Sequence, residues 1–379
     1  MKAVYAKCRK HPAAMLFLAC LLALAFCACA VWKLADNQKE PKLPGSGQEG
    51  EYSLDGPERV QLPRKLVKVG FVQVGHESDW RIAMTKSCME IFSEENGYEL
   101  YFLDADNQPQ AQVEAVRRFI REPVDYLIIA PILTTGWTAV LKEAYHADIP
   151  VILLDRTIDC DERYYAAWFG SDFVQEGRYA GQWLQSYLNR QGRGADDINI
   201  VAINGTLGAS AQLGRTEGFA EYLKRHREWN LLAEECGDFT ESGGRAVMEQ
   251  YLETFEKIDV VICQNDNEAF GACAAMDEAG ISYGKDGDVI VISFDAARAG
   301  LEAVMDGKIN ADFECNPLSP PYAARAIRQM RAGVPLKKKH FYLPEDCFTS
   351  DENPMLLVSE NGTKQMRSVT RSLLEERAY

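Results

Sequence analysis

The chain has 379 residues, of which 47% are hydrophobic and 26% charged, and its formal net charge is -15. This length exceeds what one ordinary hydrophobic core holds, and the composition is typical of globular proteins, so we expect two domains. An acidic surface repels the phosphate backbone, which argues against a nucleic-acid-binding protein.

The N-terminal segment has the features of an export signal. Four basic residues within the first ten precede an apolar run from Met15 to Trp32. This order is typical of a signal peptide whose basic end stays in the cytoplasm. Ala28–Ala30 offers a cleavage site, Cys29 is the candidate lipid-attachment residue of a lipoprotein, and the run is also long enough to remain as a membrane anchor. We assign residues 1–35 to an export signal or membrane anchor, and expect an extracytoplasmic protein (cell surface or periplasm) that contacts the membrane only there.

Residues 36–65 are rich in glycine, proline and charged side chains. Such a segment buries too little apolar surface to fold, so we predict a flexible tether. Eleven cysteines are scattered along the chain, but none forms a Cys-x-x-Cys pair or a Cys/His cluster with zinc-ligand spacing. We therefore predict no metal site and no cofactor.

From residue 67 onward, apolar strands alternate with amphipathic helices. The predicted helices in the first half cover residues 80–96, 110–121 and a segment after 135, and the predicted strands cover 67–73, 99–104, 125–131, 150–155, 198–203, 231–235, 259–264, 289–295 and 310–314. Continuous apolar strands that alternate with helices indicate parallel sheets covered on both faces. The fold class is therefore α/β.

Many of these strands end in a polar residue: Gln73, Asp104, Asp155, Asn204, Asn265, Asp295 and Glu314. In open α/β sheets the ligand crevice lies beyond the carboxyl ends of the strands. Two facing sheets would direct these groups into one cleft. For Asp104 and Asn204 we prefer a role as a helix cap or turn residue.

Several short motifs resemble one family, in one order and with consistent spacing from about Lys65 to the C-terminus. They are Gln73–Arg81, Ala130–Trp137, Ile152–Arg156, Gly205–Ser210 with Arg215–Phe219, Gly237–Thr240, Asn265–Asn267 and Ser293–Asp295. They are similar to the periplasmic sugar-binding proteins of ABC transporters, the ribose/galactose type of solute-binding protein, and most of all to the galactofuranose-binding members.

The resemblance implies a type I periplasmic-binding-protein fold, in which two lobes with parallel sheets flanked by helices are joined by three hinge crossovers. The lobes would comprise residues 66–170 plus 315–340 and residues 171–314 plus 341–379. The implied protein is a monomer and not an enzyme. It would capture a monosaccharide, galactofuranose or a similar pentose or hexose, by hinge closure and deliver it to an ABC transporter permease.

The resemblance also implies a set of sugar-binding residues: Glu77, Trp80, Arg81, Asp155, Arg156, Arg215, Phe239, Asn265, Asp295 and Glu314. Their chemistry suits a sugar, because carboxylates accept hydroxyl protons, guanidinium groups donate to adjacent oxygens, and Trp80 or Phe239 can stack on a C–H face. His76 and Asp79 replace small residues of the family pattern, and they bear on which anomer or ring form fits.

Three other functions are compatible with parts of this pattern. A sugar-sensing receptor subunit for a membrane kinase or chemoreceptor would use the same binding site. A glycoside hydrolase could draw an acid and a nucleophile or base from Asp155, Asp295 and Glu314. A transcription repressor core has the same two-lobed fold but requires a helix-turn-helix before Val67, where this chain has an export signal and a tether.

Overall fold

The computed structural model describes residues 65–379. The predicted export segment with Cys29 and nearly all of the predicted tether lie outside the described residues. Within residues 65–379, every helix is too short or too polar to span a lipid bilayer.

The first lobe is built on a six-stranded parallel sheet with strand order β11-β5-β4-β3-β1-β2. Strands β3 and β4 are buried along their whole length, as expected for a sheet covered on both faces. The elements are β1 (Val67–Gln73), α1 (Asp79–Ile91), β2 (Tyr98–Asp104), α2 (Pro109–Arg121), β3 (Tyr126–Ile129), α3 (Thr138–His146), β4 (Val151–Leu154), β5 (Ala167–Gly170), α9 (Pro320–Arg331) and β11 (His340–Tyr342).

The second lobe has a seven-stranded sheet with strand order β15-β12-β10-β9-β8-β6-β7, in which β10 and β12 pair antiparallel and all the other neighbouring strands pair parallel. A separate hairpin is formed by β13 and β14. The elements are α4 (Phe173–Arg190), β6 (Ile198–Asn204), α5 (Ser210–Leu223), β7 (Trp229–Cys236), α6 (Glu241–Thr254), β8 (Val260–Cys263), α7 (Asp266–Ala279), β9 (Ile290–Asp295), α8 (Arg298–Met305), β10 (Ala311–Glu314), β12 (Cys347–Thr349), β13 (Leu356–Ser359), β14 (Gly362–Gln365), β15 (Arg367–Ser368) and α10 (Arg371–Glu376).

The chain passes between the two sheets three times: from β5 to α4, from β10 to α9, and from β11 to β12. These crossovers confirm the predicted two-lobed α/β fold with three hinges. The predicted lobe boundary after residue 340 is wrong by two residues, because β11 pairs with β5 in the first sheet through Tyr342. Phe341 stacks on Phe169 of β5 with ring centroids 4.9 Å apart, which keeps this short strand in the first lobe.

One predicted helix ends earlier than its sequence pattern suggests. The segment predicted as a helix to residue 96 ends at Ile91, and a short 3-10 turn, Glu94–Asn96, follows it. Gly97 closes this turn in the left-handed region with φ 86°, a conformation that glycine adopts without steric cost. The turn directs the chain into β2.

Candidate functional site

A cavity lies where the carboxyl ends of the two sheets face each other. It is lined by Glu77, Ser78, Trp80, Arg81, Asp155, Arg156, Phe173, Ala211, Arg215, Phe239, Asn265, Asp295 and Cys315. The structure thus brings every residue of the predicted sugar site to this cavity except Glu314.

The first lobe contributes a buried network of opposite charges. Arg81 Nε lies 3.0 Å from Glu77 Oε1, and Arg81 Nη2 lies 2.9 Å from Asp155 Oδ2. Arg156 is more loosely paired, since its Nε is 3.7 Å from Asp155 Oδ2 and its Nη2 is 3.9 Å from Glu77 Oε1. Its Nη1 donates to the Ile132 carbonyl oxygen at 3.1 Å.

Two polar atoms of this network have no hydrogen-bond partner within residues 65–379. They are Glu77 Oε2, an acceptor, and Arg156 Nε, a donor. Burial would raise the pKa of Glu77, but the positive charges of Arg81 and Arg156 outweigh it and lower that pKa below the usual value. Burial and the charge of Arg81 together lower the pKa of Arg156. A buried carboxylate and a buried guanidinium thus keep hydrogen-bonding capacity for a ligand.

The second lobe centres on Arg215, which α5 directs toward the cavity. Its Nε lies 2.7 Å from Glu176 Oε2, its Nη2 lies 3.3 Å from Asp295 Oδ1, and its Nη1 donates to the Gln264 carbonyl oxygen. Burial raises the pKa of Asp295 well above its usual value although Arg215 opposes this effect. The Asp295 carboxyl therefore binds a proton more readily than an exposed aspartate, and it can donate or accept.

Close helix packing explains why Arg215 is held so firmly. A Cβ atom at Gly177 of α4 would overlap the Arg215 carbonyl oxygen, so only glycine lets α4 and α5 approach this closely. The approach places Glu176 of α4 against the Arg215 guanidinium. Burial raises the pKa of Glu176 to about 7.

Aromatic rings from both lobes form the apolar walls. Trp80 donates from Nε1 to the Cys315 carbonyl oxygen at 2.5 Å, and the Arg81 guanidinium lies 4.7 Å from its ring centroid. The Phe239 ring of the second lobe lies 5.0 Å from the Arg156 guanidinium of the first. Asn265 Nδ2 donates to the Phe239 carbonyl oxygen at 3.0 Å, so this amide positions the aromatic wall as well as lining the cavity.

Three cavity residues have a backbone conformation that non-glycine residues rarely adopt. Asp155, Phe239 and Asp295 have φ of 64°, 59° and 97°. Such residues cost on the order of 1–3 kcal/mol each and persist only where the surroundings hold them, and they cluster at ligand sites. The strain at the ends of β4 and β9 is consistent with a binding site at this edge.

The two lobes also touch each other directly around the cavity. Thr134 N donates to the Gly208 carbonyl oxygen at 3.0 Å, and Thr157 N donates to Ser210 Oγ at 2.8 Å. Asn107 Nδ2 donates to an Asp238 carboxylate oxygen at 3.3 Å. These contacts close the cleft over the cavity.

Comparison with known proteins identifies the family. The model of the periplasmic binding protein domain matches residues 69–332. This chain belongs to the periplasmic binding protein family. It is 37% identical over 287 residues to the galactofuranose-binding protein YtfQ of Escherichia coli, which covers 73% of this chain and 88% of that protein.

Solved structures of family members agree with this assignment. A Mycobacterium smegmatis protein in complex with β-D-fucofuranose is 39% identical, with a TM-score of 0.71 over 75% of this chain and 91% of its own. The binding component of the arabinose ABC transporter from Shewanella sp. ANA-3, bound to α- and β-L-arabinofuranose, is 36% identical, with a TM-score of 0.69 over 75% and 92%. The resemblance to sugar-binding family members is confirmed.

In this family member Glu314 does not line the cavity, contrary to the sequence prediction. Its Oε1 accepts from Arg377 Nη1 at 2.9 Å and from the Tyr379 hydroxyl, and its Oε2 accepts from Asp346 N at 2.6 Å. The next residue along the chain, Cys315, lines the cavity instead.

Sequence reasoning missed four lining residues: Ser78, Phe173, Ala211 and Cys315. Ser78 caps α1 by accepting from Arg81 N at 3.2 Å, and its position directly after Glu77 was a usable signal. Phe173 begins α4 just after the first crossover, so recognising β5 would have placed it at the cleft. Ala211 and Cys315 carry no chemical signal of their own.

The hinge region contains one group of side chains of the kinds that bind metals, as judged over the described part of the chain. Glu176, Cys315 and Glu345 have ligand-type atoms within 4.8 Å of one another. Ser171 Oγ lies 3.2 Å from Cys315 Sγ and donates to Glu345 Oε1. Burial raises the pKa of both carboxyls, to about 7 for Glu176 and well above the usual value for Glu345.

Proposed function

We propose that this protein is an extracytoplasmic receptor that captures one monosaccharide in the furanose form and delivers it to an ABC permease. The supporting observation is the cavity itself, in which carboxylates and guanidinium groups from both lobes surround a space between aromatic walls. The family consists of solute-binding proteins, and the three relatives described above bind furanose sugars or belong to sugar transporters.

The charges of the cavity favour a neutral ligand. Three arginine and three acidic side chains line it: Arg81, Arg156, Arg215, Glu77, Asp155 and Asp295. An anionic or cationic ligand would leave one sign of charge uncompensated in a buried site. A polyhydroxylated ring instead offers each of these groups a donor or acceptor.

The sugars of the relatives share their stereochemistry. D-galactose, D-fucose and L-arabinose have the same configuration at C2, C3 and C4 and differ only at the exocyclic carbons of the furanose ring. The same hydroxyl pattern can therefore meet the carboxylates and guanidinium groups in all three, and we propose that this configuration is what the present site selects.

Binding would stabilise the closed form because each lobe carries part of the site. A sugar in the cavity contacts Arg156 of the first lobe and Arg215 of the second, so it binds the closed arrangement better than an open one. A hydrolase is the less favoured function, because Asp155 and Asp295 are each paired with an arginine and Glu314 is directed elsewhere.

A thermal-shift screen of the full chain tests this proposal. D-galactose, D-fucose and L-arabinose should raise the melting temperature, because a ligand that binds only the folded state stabilises it. D-glucose, the C4 epimer of galactose, and L-ribose, the C2 epimer of L-arabinose, are the matched controls. Chromatography should recover each sugar unaltered. Equal shifts with the epimers, no shift with any sugar, or turnover would each contradict the proposal.

A further inference from the structure

The segment Arg377–Tyr379, which follows α10, lies behind the cavity wall formed by Asp295. Arg377 Nη2 donates to the Ala296 carbonyl oxygen at 2.5 Å, and its Nη1 donates to Glu314 Oε1 at 2.9 Å. The Tyr379 hydroxyl donates to the same oxygen of Glu314. The Arg377 side chain is only 12% exposed, so these bonds form away from bulk water.

The turn held by this segment is strained. Asp295 and Ala296 have φ of 97° and 51°, and Ala296 adopts this conformation although it is not glycine. Two buried carboxylates hold its amides, since Asp312 Oδ1 accepts from Ala296 N at 3.1 Å and Asp266 Oδ2 accepts from Ala297 N at 2.9 Å. Arg377 supplies the matching bond on the carbonyl side of the turn.

Glu314 connects this turn to the hinges. It pairs with Asp295 across β9 and β10, and its backbone and side chain bond Asp346 in the third crossover. The next residue along the chain, Cys315, lines the cavity and accepts from Trp80. A change at Arg377 therefore acts on the Asp295 wall and on two crossovers together.

We propose that Arg377 is a positioning residue for ligand binding, which holds the Asp295 carboxyl toward the cavity through Ala296 and Glu314 without contacting the ligand. This inference rests on the proposed sugar-binding function. The segment lies beyond residue 332, where the match to the family model ends. Tyr379 supports the same arrangement through its hydroxyl.

Calorimetric titration of the full chain with L-arabinose and with D-galactose tests the role of Arg377. Loss of hydrogen bonds that hold a charged site should raise Kd about tenfold in Arg377→Met and about threefold in Tyr379→Phe. Arg371→Met, at the exposed start of α10, is the matched control and should bind like the wild type.

A double-mutant cycle separates positioning from general stability. If Arg377 acts through Asp295, then Arg377→Met should raise Kd less than about twofold when Asp295→Asn is already present. The inference would be overturned if Arg377→Met raised Kd by the same factor with and without Asp295→Asn, or if Arg377→Met bound sugar with wild-type affinity. Should Arg377→Met fail to fold, wild-type affinity in Tyr379→Phe would overturn it instead. If the wild-type protein binds no sugar, its own titration shows this without any variant, and both the sugar-binding function and the role of Arg377 are overturned.

Discussion

Substitution of Arg156 by methionine separates a ligand-binding role from a structural one. The Arg156 side chain is 3% exposed, yet its nearest carboxylate oxygens are 3.7 and 3.9 Å away, beyond good hydrogen-bond distance. Its Nε has no partner in the structure over residues 65–379. A buried cation with such weak pairing costs folding free energy, which indicates that it is kept for a ligand.

The structure gives a magnitude for both effects of Arg156→Met. Two charge-assisted hydrogen bonds to sugar hydroxyls contribute roughly 1.5–3 kcal/mol each, so Kd should rise about 100-fold or more. Methionine also loses the guanidinium, whose central carbon lies 5.0 Å from the Phe239 ring centroid. Because Arg156 is only loosely paired, the sugar-free protein should lose less free energy of unfolding than the ~3–5 kcal/mol that breaking a well-formed buried ion pair costs.

Calorimetric titration with L-arabinose and urea unfolding without sugar measure these two quantities. Arg117→Met is the matched control, since Arg117 forms an exposed ion pair with Glu143 at 3.0 Å on the outer surface and should change neither quantity by much. The reasoning is refuted if Arg156→Met binds within threefold of the wild type. A loss of several kcal/mol in stability with unchanged affinity would assign Arg156 to a structural ion pair.

Three further predictions concern the hinge, the aromatic wall and the N-terminus. Burial, with the nearby charge of Glu176, raises the pKa of Glu345 well above its usual value. The folded protein therefore holds a proton on Glu345 that the unfolded chain releases. The folded state is thus most stable at low pH and loses this stability as the pH rises. Glu345→Gln should therefore flatten the fall in melting temperature as pH rises above about 5, and an unchanged slope would contradict a protonated Glu345 in the folded state. A Cβ at Gly205 would overlap the Phe239 ring, so Gly205→Ala should displace this aromatic wall. Calorimetric titration should then show Kd raised roughly 2–10-fold. Wild-type affinity in this variant would show that the ring does not contact the sugar. Deletion of residues 1–64 should leave sugar affinity unchanged, because every cavity-lining residue comes later in the chain. A large loss of affinity would show that part of this segment belongs to the sugar-binding domain.

The sequence was sufficient for the strands that carry the site. The apolar runs that end at Gln73, Asp155 and Asp295 end within one residue of where they were predicted, because buried parallel strands leave a strong pattern. The sheet topology brings Asp155 and Asp295 to one cavity, whereas the Gln73 side chain donates to Thr85 Oγ1 at 3.0 Å instead.

The parts that the sequence could not predict depend on long-range contacts. The short strands β5 and β11 have too few residues for a periodic pattern, and they pair with each other although most of the second lobe lies between them in the chain. Glu314 was predicted to bind the sugar, but Arg377, 63 residues later, pairs with it. No local pattern encodes that pairing.

The ring form of the bound sugar tests the central claim most directly. Galactose and arabinose labelled with ¹³C at C1 give distinct anomeric signals for furanose and pyranose rings, and the full chain can be titrated with either by NMR. We predict that the bound signal is that of the furanose, at one molecule per chain, and that the free sugar is recovered unchanged. A bound pyranose signal would contradict the furanose assignment, and the absence of any bound signal with both sugars would contradict the account of the cavity as a sugar site.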